Sequence, residues 1–346
     1  MRADFEALAE KVIQRLLTNN RDDGTDDHLT IAEWEWPQGV ALYGLYQYYR
    51  ETGKQEYLDF SERWYEDWMA RGLPSRNVNT AAPLLTLAHL YELTGKPEQL
   101  DLCRDWAEWM RREMPRTEEG GLQHLTSHLT NEQQIWADTL FMTVLFLAKL
   151  GRLTFNEAYI QEAIRQFLLH IKYLHDPGTG LWYHGWSFRG RHAFGKNLWA
   201  RGNCWFTAGV VELLEILELQ GAVRQHLLDT LASQVRKLAE LQHEAGMWHT
   251  LLDEPASYVE TSATAGFAYG ILKAIRLGYL DSRYETVGKK AAAAVLGRVG
   301  PDGAVGGVSY GTAIGMKKEH YMQIEQRPTA YGQGLTLLLL TELLRE

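Results

Sequence analysis

Two cysteines in 346 residues, Cys103 and Cys204, are too few for a disulfide framework, and neither stands in a CxxC. The simplest compartment for such a chain is a reducing one, the cytoplasm. Long apolar runs are missing too. The longest, Leu335 to Leu340, stops at Thr341-Glu342, well short of the roughly 18 apolar residues that a membrane span needs. The N-terminus, Met1-Arg2-Ala3-Asp4-Phe5-Glu6, carries early acids and no apolar segment, so no signal peptide is expected. Basic residues are outnumbered: 35 Lys and Arg against 44 Asp and Glu give a net charge of −9, which disfavours nucleic acid as a partner. There are nine prolines and no Pro- or Ser-rich linker, so 1–346 reads as one domain. Phosphate-cradling and nucleophile-elbow motifs are absent: no GxxxxGK[ST], no GxSxG, and no GxGxxG following a strand.

What is abundant is aromatic: 12 Trp, 17 Tyr and 10 Phe. The question is where these rings sit. Apolar residues recur at steps of three and four in about twelve segments, beginning with Phe5, Leu8, Val12 and Leu16 and ending with Thr329–Leu344. Each segment predicts an amphipathic or buried helix, and no period-two strand longer than four residues stands out. The helices come in pairs. Thr52-Gly53-Lys54 and Thr94-Gly95-Lys96 join two of them, and the glycines at 151, 221 and 278 recur in the same role, where a left-handed C-cap closes a tight turn. A second phrase follows the other helix of each pair: Gly121-Leu122-Gln123-His124, Gly180-Leu181-Trp182-Tyr183-His184 and Gly246-Met247-Trp248-His249. The unit is therefore helix, tight turn, helix, long decorated loop. About six units fit, and their irregular length favours a closed all-α (α/α)6 barrel, a six-hairpin toroid, over an open solenoid.

Trp64 with Trp68, and Trp106 with Trp109, are helix-face pairs best read as packing. The other eight, Trp34, Trp36, Trp136, Trp182, Trp186, Trp199, Trp205 and Trp248, fall in long loops or at the helix starts that follow them. In a closed barrel these belong to one end, so they are expected to line a sugar-binding bowl. Asp138 follows Trp136-Ala137 and opens an otherwise apolar helix. Alone it reads as a helix N-terminal acid. Walled by rings, it is expected to have a raised pKa and to serve as a general acid. His124, His184 and His249 end the loop phrases. No HxH or HxxxH spacing supports a metal, so hydrogen bonding to sugar or loop packing is expected and no metal or cofactor is. Arg201 stands between Trp199 and Trp205, placed to pair with a substrate carboxylate or to form a loop salt bridge.

Four ordered segments, Trp34-Glu35-Trp36-Pro37-Gln38-Gly39, Trp136-Ala137-Asp138, Tyr183-His184-Gly185-Trp186 and Trp199-Ala200-Arg201-Gly202-Asn203-Cys204-Trp205, resemble glycoside hydrolase family 105, the unsaturated rhamnogalacturonyl hydrolases, with family 88 more distant. The resemblance implies an (α/α)6 barrel. It also implies release of a 4,5-unsaturated uronic acid, galacturonic above all, from lyase-generated pectin oligosaccharides by hydration of the vinyl ether. It assigns the acid/base role to Asp138. Substrate contacts fall to Trp34, Trp36, Gln38, Asn79, His124, Trp136, His184, Trp199, Arg201 and Trp205. One departure is Asn79, which stands where some relatives carry a second Asp; it can hydrogen-bond but cannot act as a base. Two other readings compete. An N-acyl-hexosamine epimerase type would need paired His bases on inner helices, and a non-catalytic helical-repeat protein would carry its aromatics along a groove. The aglycone is expected to be chosen by outer loops such as Ser187–Asn197 and Ser309–Gln326.

Overall fold

Burial divides the helices into two kinds. In the computed structural model, which describes residues 2–18 and 30–345, the first kind is buried on nearly every side: α2 (Trp36–Thr52), α5 (Pro83–Thr94), α7 (Leu145–Thr154), α9 (Ala200–Leu217), α11 (Thr261–Arg276) and α14 (Ala330–Leu344). The second kind buries one stripe: α1 (Arg2–Thr18), α3 (Gln55–Arg71), α6 (Pro97–Arg112), α8 (Glu157–Leu174), α10 (Gly221–Leu241) and α12 (Glu285–Leu296). On α6 only Gln99, Cys103, Trp106, Ala107 and Met110 are buried, whereas every residue of α14 is. A helix apolar all round must be enclosed, and a striped helix must lie outside it. Two short helices, α4 (Val78–Ala81) and α13 (Lys318–Met322), lie in the connections.

The two kinds alternate along the chain. Among the buried helices, α2 packs on α5, α5 on α7, α7 on α9, α9 on α11, α11 on α14, and α14 back on α2. Each striped helix covers a buried one: α3 on α2, α6 on α5, α8 on α7, α10 on α9, α12 on α11 and α1 on α14. Glycines permit the closest approaches. A Cβ on Gly44 would meet the Gly334 carbonyl oxygen at 2.7 Å, and one on Gly270 would meet the Thr207 carbonyl oxygen at 2.6 Å.

Buried-to-striped connections are tight. Gly53 caps α2 at φ 70° and donates its N–H to the Tyr49 carbonyl at 2.7 Å; Gly95 does the same for α5. Gly151 departs from expectation. Its helix continues to Thr154, and Phe155 takes the left-handed cap at φ 51°, because Gly151 is needed inside α7, where a Cβ would meet Ile160 at 2.8 Å. The striped-to-buried connections are the long loops. They hold two short antiparallel ladders, β1 (Gln134–Trp136) with β2 (Gly185–Ser187), and β3 (Trp248–His249) with β4 (Val259–Glu260). The buried helices run the same way: their N-termini follow the long loops, and the C-termini of α2, α5, α7, α9 and α11 lead into the short turns.

Candidate active site

The β1–β2 ladder sets the centre of the site. Its register pairs Trp136 with Gly185, and the next rung is the Ala137 N–H donating to the His184 carbonyl at 3.0 Å. That rung brings the residue after Ala137 beside His184: His184 Nε2 stands 3.4 Å from Asp138 Oδ2. Both atoms are buried and face each other at this distance, and neither has another hydrogen-bond partner. Immediately after Asp138 the backbone widens into a π turn at Leu140–Val144 before α7 begins, a feature common at functional sites.

Asp138 opens on a cavity of about 200 Å³ at the end carrying the buried helices' N-termini. Trp36, His124, Trp136 and Trp199 wall it, with Asn79, Met142 and Arg201 between them. His124 stacks flat on Trp136 at 4.2 Å, and its Nδ1 lies 2.9 Å from Thr139 Oγ1. Trp36 lies 4.4 Å from the ring of Tyr331. Arg201 is held between the rings of Trp199 and Tyr331, at 4.6 and 4.9 Å. Its guanidinium donates to the Ser309 carbonyl (2.8 Å), the Tyr310 carbonyl (3.1 Å) and Thr312 Oγ1 (3.0 Å). Buried Glu260 stands 4.0 Å from it. The Glu260 carboxylate also caps α11 by accepting the Ser262 and Ala263 N–H groups, and it accepts the Ser309 N–H.

The charge state of Asp138 differs from the sequence expectation. Burial pushes its pKa up, but contact with His184 and the nearby imidazoles outweigh burial, so the carboxyl lies below the ordinary aspartate range. His184 moves down because burial disfavours imidazolium, and burial pushes His124 down to about 3. Asp138 therefore stands ionised among neutral imidazoles. Asp138 is the one carboxylate among the described residues lining the cavity.

A protein-family model described as Glycosyl Hydrolase Family 88 matches residues 8–346. The chain belongs to glycosyl hydrolase family 88. It is 35% identical over 315 residues, 90% of each chain, to the unsaturated rhamnogalacturonyl hydrolase YesR of Bacillus subtilis. Among solved structures, a possible member of the GH105 family from Klebsiella pneumoniae superposes with a TM-score of 0.97 at 46% identity, covering all of this chain and 94% of that one. The unsaturated glucuronyl hydrolase of Bacillus sp. GL1, at 19% identity and a TM-score of 0.78 over 99% and 97% of the two chains, shares the fold. As a family 88 member the protein is a glycoside hydrolase.

Seven of the eleven site residues expected from sequence line the cavity together: Trp36, Asn79, His124, Trp136, Asp138, Trp199 and Arg201. Four do not. Trp34 is buried beneath α2, stacked on Trp64 at 5.1 Å, and donates Nε1–H to the Thr80 carbonyl. Gln38 is fully buried and donates to the Thr30 carbonyl at 2.6 Å. Trp205 is enclosed between Trp36 and Phe141. His184 is buried behind Asp138 and does not line the cavity wall. The eight-indole bowl also shrinks. Trp182 and Trp248 are fully buried under their loops, Trp186 leans on Tyr173, and only Trp36, Trp136 and Trp199 face the cavity. His249 bonds the Ser257 carbonyl, away from the cavity. Of the two expected specificity loops, the 309–326 segment contributes Gly311, Thr312 and Ala313, while 187–197 contributes no lining residue. The turn bearing Thr126, His128 and half-exposed Leu129 forms a wall that the sequence reading missed. Its only signal was a polar loop following His124.

Proposed function

We propose that this family 88 hydrolase releases a 4,5-unsaturated uronic acid, galacturonic rather than glucuronic, from the non-reducing end of lyase-generated rhamnogalacturonan oligosaccharides. The observation that carries the reading is that Asp138 is the single carboxylate among the described residues lining the cavity. Glycosidases that displace at the anomeric carbon need two carboxyl groups about 5 to 9.5 Å apart, and Asp138 has no such partner among the described residues lining the cavity. Hydration of a vinyl ether needs one acid. Asp138 protonates C4 of the unsaturated ring and positive charge develops at C5 and the ring oxygen. Water then adds at C5 and gives its proton back to Asp138. The resulting hemiketal opens, and the aglycone leaves as the sugar becomes a keto acid.

Substrate binding favours the protonated form of Asp138, the proton coming from water. An anionic sugar placed beside the Asp138 carboxylate and sealed from water disfavours its ionised form, raising its affinity for a proton. The N-termini of α2 and α9, where Trp36 and Arg201 line the cavity, favour the substrate carboxylate, and Arg201 brings a cation to the wall. Trp36, Trp136 and Trp199 offer ring faces to the sugar, and Asn79 serves as a hydrogen-bonding residue in place of a second acid. The name of YesR, together with the apolar Leu129 on the rim, supports a rhamnose aglycone. The closed cycle of helix contacts supports the (α/α)6 toroid as a single domain across 1–346, and the cysteine usage supports a cytoplasmic setting.

The test is loss of the conjugated double bond's ultraviolet absorbance when the enzyme meets unsaturated galacturonyl-rhamnose. Asp138→Asn should lower kcat by about 10²- to 10⁴-fold with an unchanged circular dichroism spectrum. Absence of turnover with every unsaturated galacturonyl and glucuronyl disaccharide would sink the reading. Full activity in Asp138→Asn would remove Asp138 from its role.

A further inference from the structure

Tyr321 lies in α13, far in sequence from every motif, and is fully buried with Trp199 and Leu251. Its hydroxyl lies between two groups. The Gly315 N–H donates to Tyr321 Oη at 3.0 Å, and His184 Nδ1 stands 2.8 Å away on the other side. A phenol has one proton, and a backbone N–H can only donate. The phenol oxygen keeps a second lone pair, but its buried proton needs an acceptor, and among the described residues His184 Nδ1 is the one within hydrogen-bond distance, so the proton goes there. A neutral imidazole carries a single N–H, so a proton-accepting Nδ1 leaves that hydrogen on Nε2. Nε2 is the atom that faces Asp138 Oδ2.

The tautomer decides which oxygen of Asp138 can carry a transferable proton. If His184 held its hydrogen on Nδ1, the Nε2 lone pair would face Oδ2. An acid proton would then settle on Oδ2, turned into the protein. With the hydrogen on Nε2, Oδ2 acts as acceptor and is closed to the acid proton. Oδ2 is itself buried, whereas the carboxylate as a whole keeps some exposure and lines the cavity. We propose that Tyr321 is a positioning residue that holds His184 in its Nε2–H tautomer, so that Asp138 carries its acid proton on Oδ1, toward the substrate. The tautomer assignment stands on geometry alone; its consequence for turnover rests on the hydrolase reading above.

Two measurements test it. In long-range ¹H–¹⁵N spectra of histidine-labelled enzyme, assigned with a His184→Gln variant, His184 should show an unprotonated Nδ1 and a protonated Nε2. This needs no Tyr321 variant. In Tyr321→Phe the single tautomer should be lost, and kcat should fall by about 10-fold or more with KM within about twofold. Tyr258→Phe is the control for loosening, because the Tyr258 hydroxyl donates to the Tyr321 carbonyl at 3.2 Å and steadies the same segment without touching His184. It should keep the tautomer and most of kcat. A protonated Nδ1 in the unaltered enzyme overturns the proposal. So does an unchanged tautomer in Tyr321→Phe, or an equal loss of kcat in Tyr258→Phe and Tyr321→Phe. If no unsaturated substrate is turned over, the hydrolase reading fails while the spectra still decide the tautomer.

Discussion

Arg201 has 1% of its surface exposed, yet its guanidinium borders the cavity. A buried cation is tolerated only when its charge and its donors are met. Here two aromatic faces take the plane of the guanidinium, and the backbone and side chains of the 309–312 segment take its edge. A lysine has neither the plane nor the fork. Arg201→Lys should therefore cost on the order of 2–3 kcal/mol, read as a lower melting temperature, and should raise KM as the 311–313 wall loosens. An unchanged melting temperature and KM would show that the fork is dispensable. Asp138 and Arg201 were legible in the sequence because each is a charge set among rings. Trp34 and Trp205 misled for the same reason. An indole that seals a loop by giving its N–H to a carbonyl, as Trp34 does, has the same local sequence as one that faces a sugar. Only the packing separates them.

At the scale of elements, periodicity located the long helices. It did not show which of them are enclosed, although the near-continuous apolar character of α14 beside the single stripe of α6 carries that distinction. The π turn after Asp138 and the short helix α13 had no signal in the sequence, whereas α4 carried a local one, the capping box of Asn77 with Thr80. The glycines of helix interiors were likewise unread. Gly44 should not tolerate a methyl group. In an exposed helix, alanine would gain about 1 kcal/mol over glycine, but here the Cβ meets the Gly334 carbonyl at 2.7 Å. Steric overlap against backbone costs about 1–3 kcal/mol and wins. Gly44→Ala is expected to unfold at a lower temperature than the unaltered protein, and equal or higher thermal stability would show that α2 and α14 can move apart freely.

For the molecule as a whole, acid should be the weak side. Burial holds His124 at about 3 and His170 at about 4, and it holds His89 and His184 down as well. In the unfolded chain these side chains take up protons near pH 6.5. Above that value neither state is protonated and nothing is lost. Below it the unfolded chain binds protons that the folded one refuses, so stability declines by about 1.4 kcal/mol per histidine per pH unit until the folded values are reached. Melting temperatures measured from pH 7.5 down to 4.5 should be level at first and then fall, less steeply in His170→Gln. A level curve throughout would contradict the buried neutral histidines.

The seam between α2 and α14 has a consequence in time. These two helices meet through Gly44 and Gly334, 290 residues apart in the chain. At roughly 5–20 residues per second on the ribosome, the enclosed face of α2 waits on the order of 15 to 60 seconds for its partner. During that interval a helix that the finished fold buries on nearly every side is displayed to the cell with its final neighbour still unmade. The protein's exposure to chaperones and proteases is therefore set less by its finished stability than by how long its last helix takes to arrive.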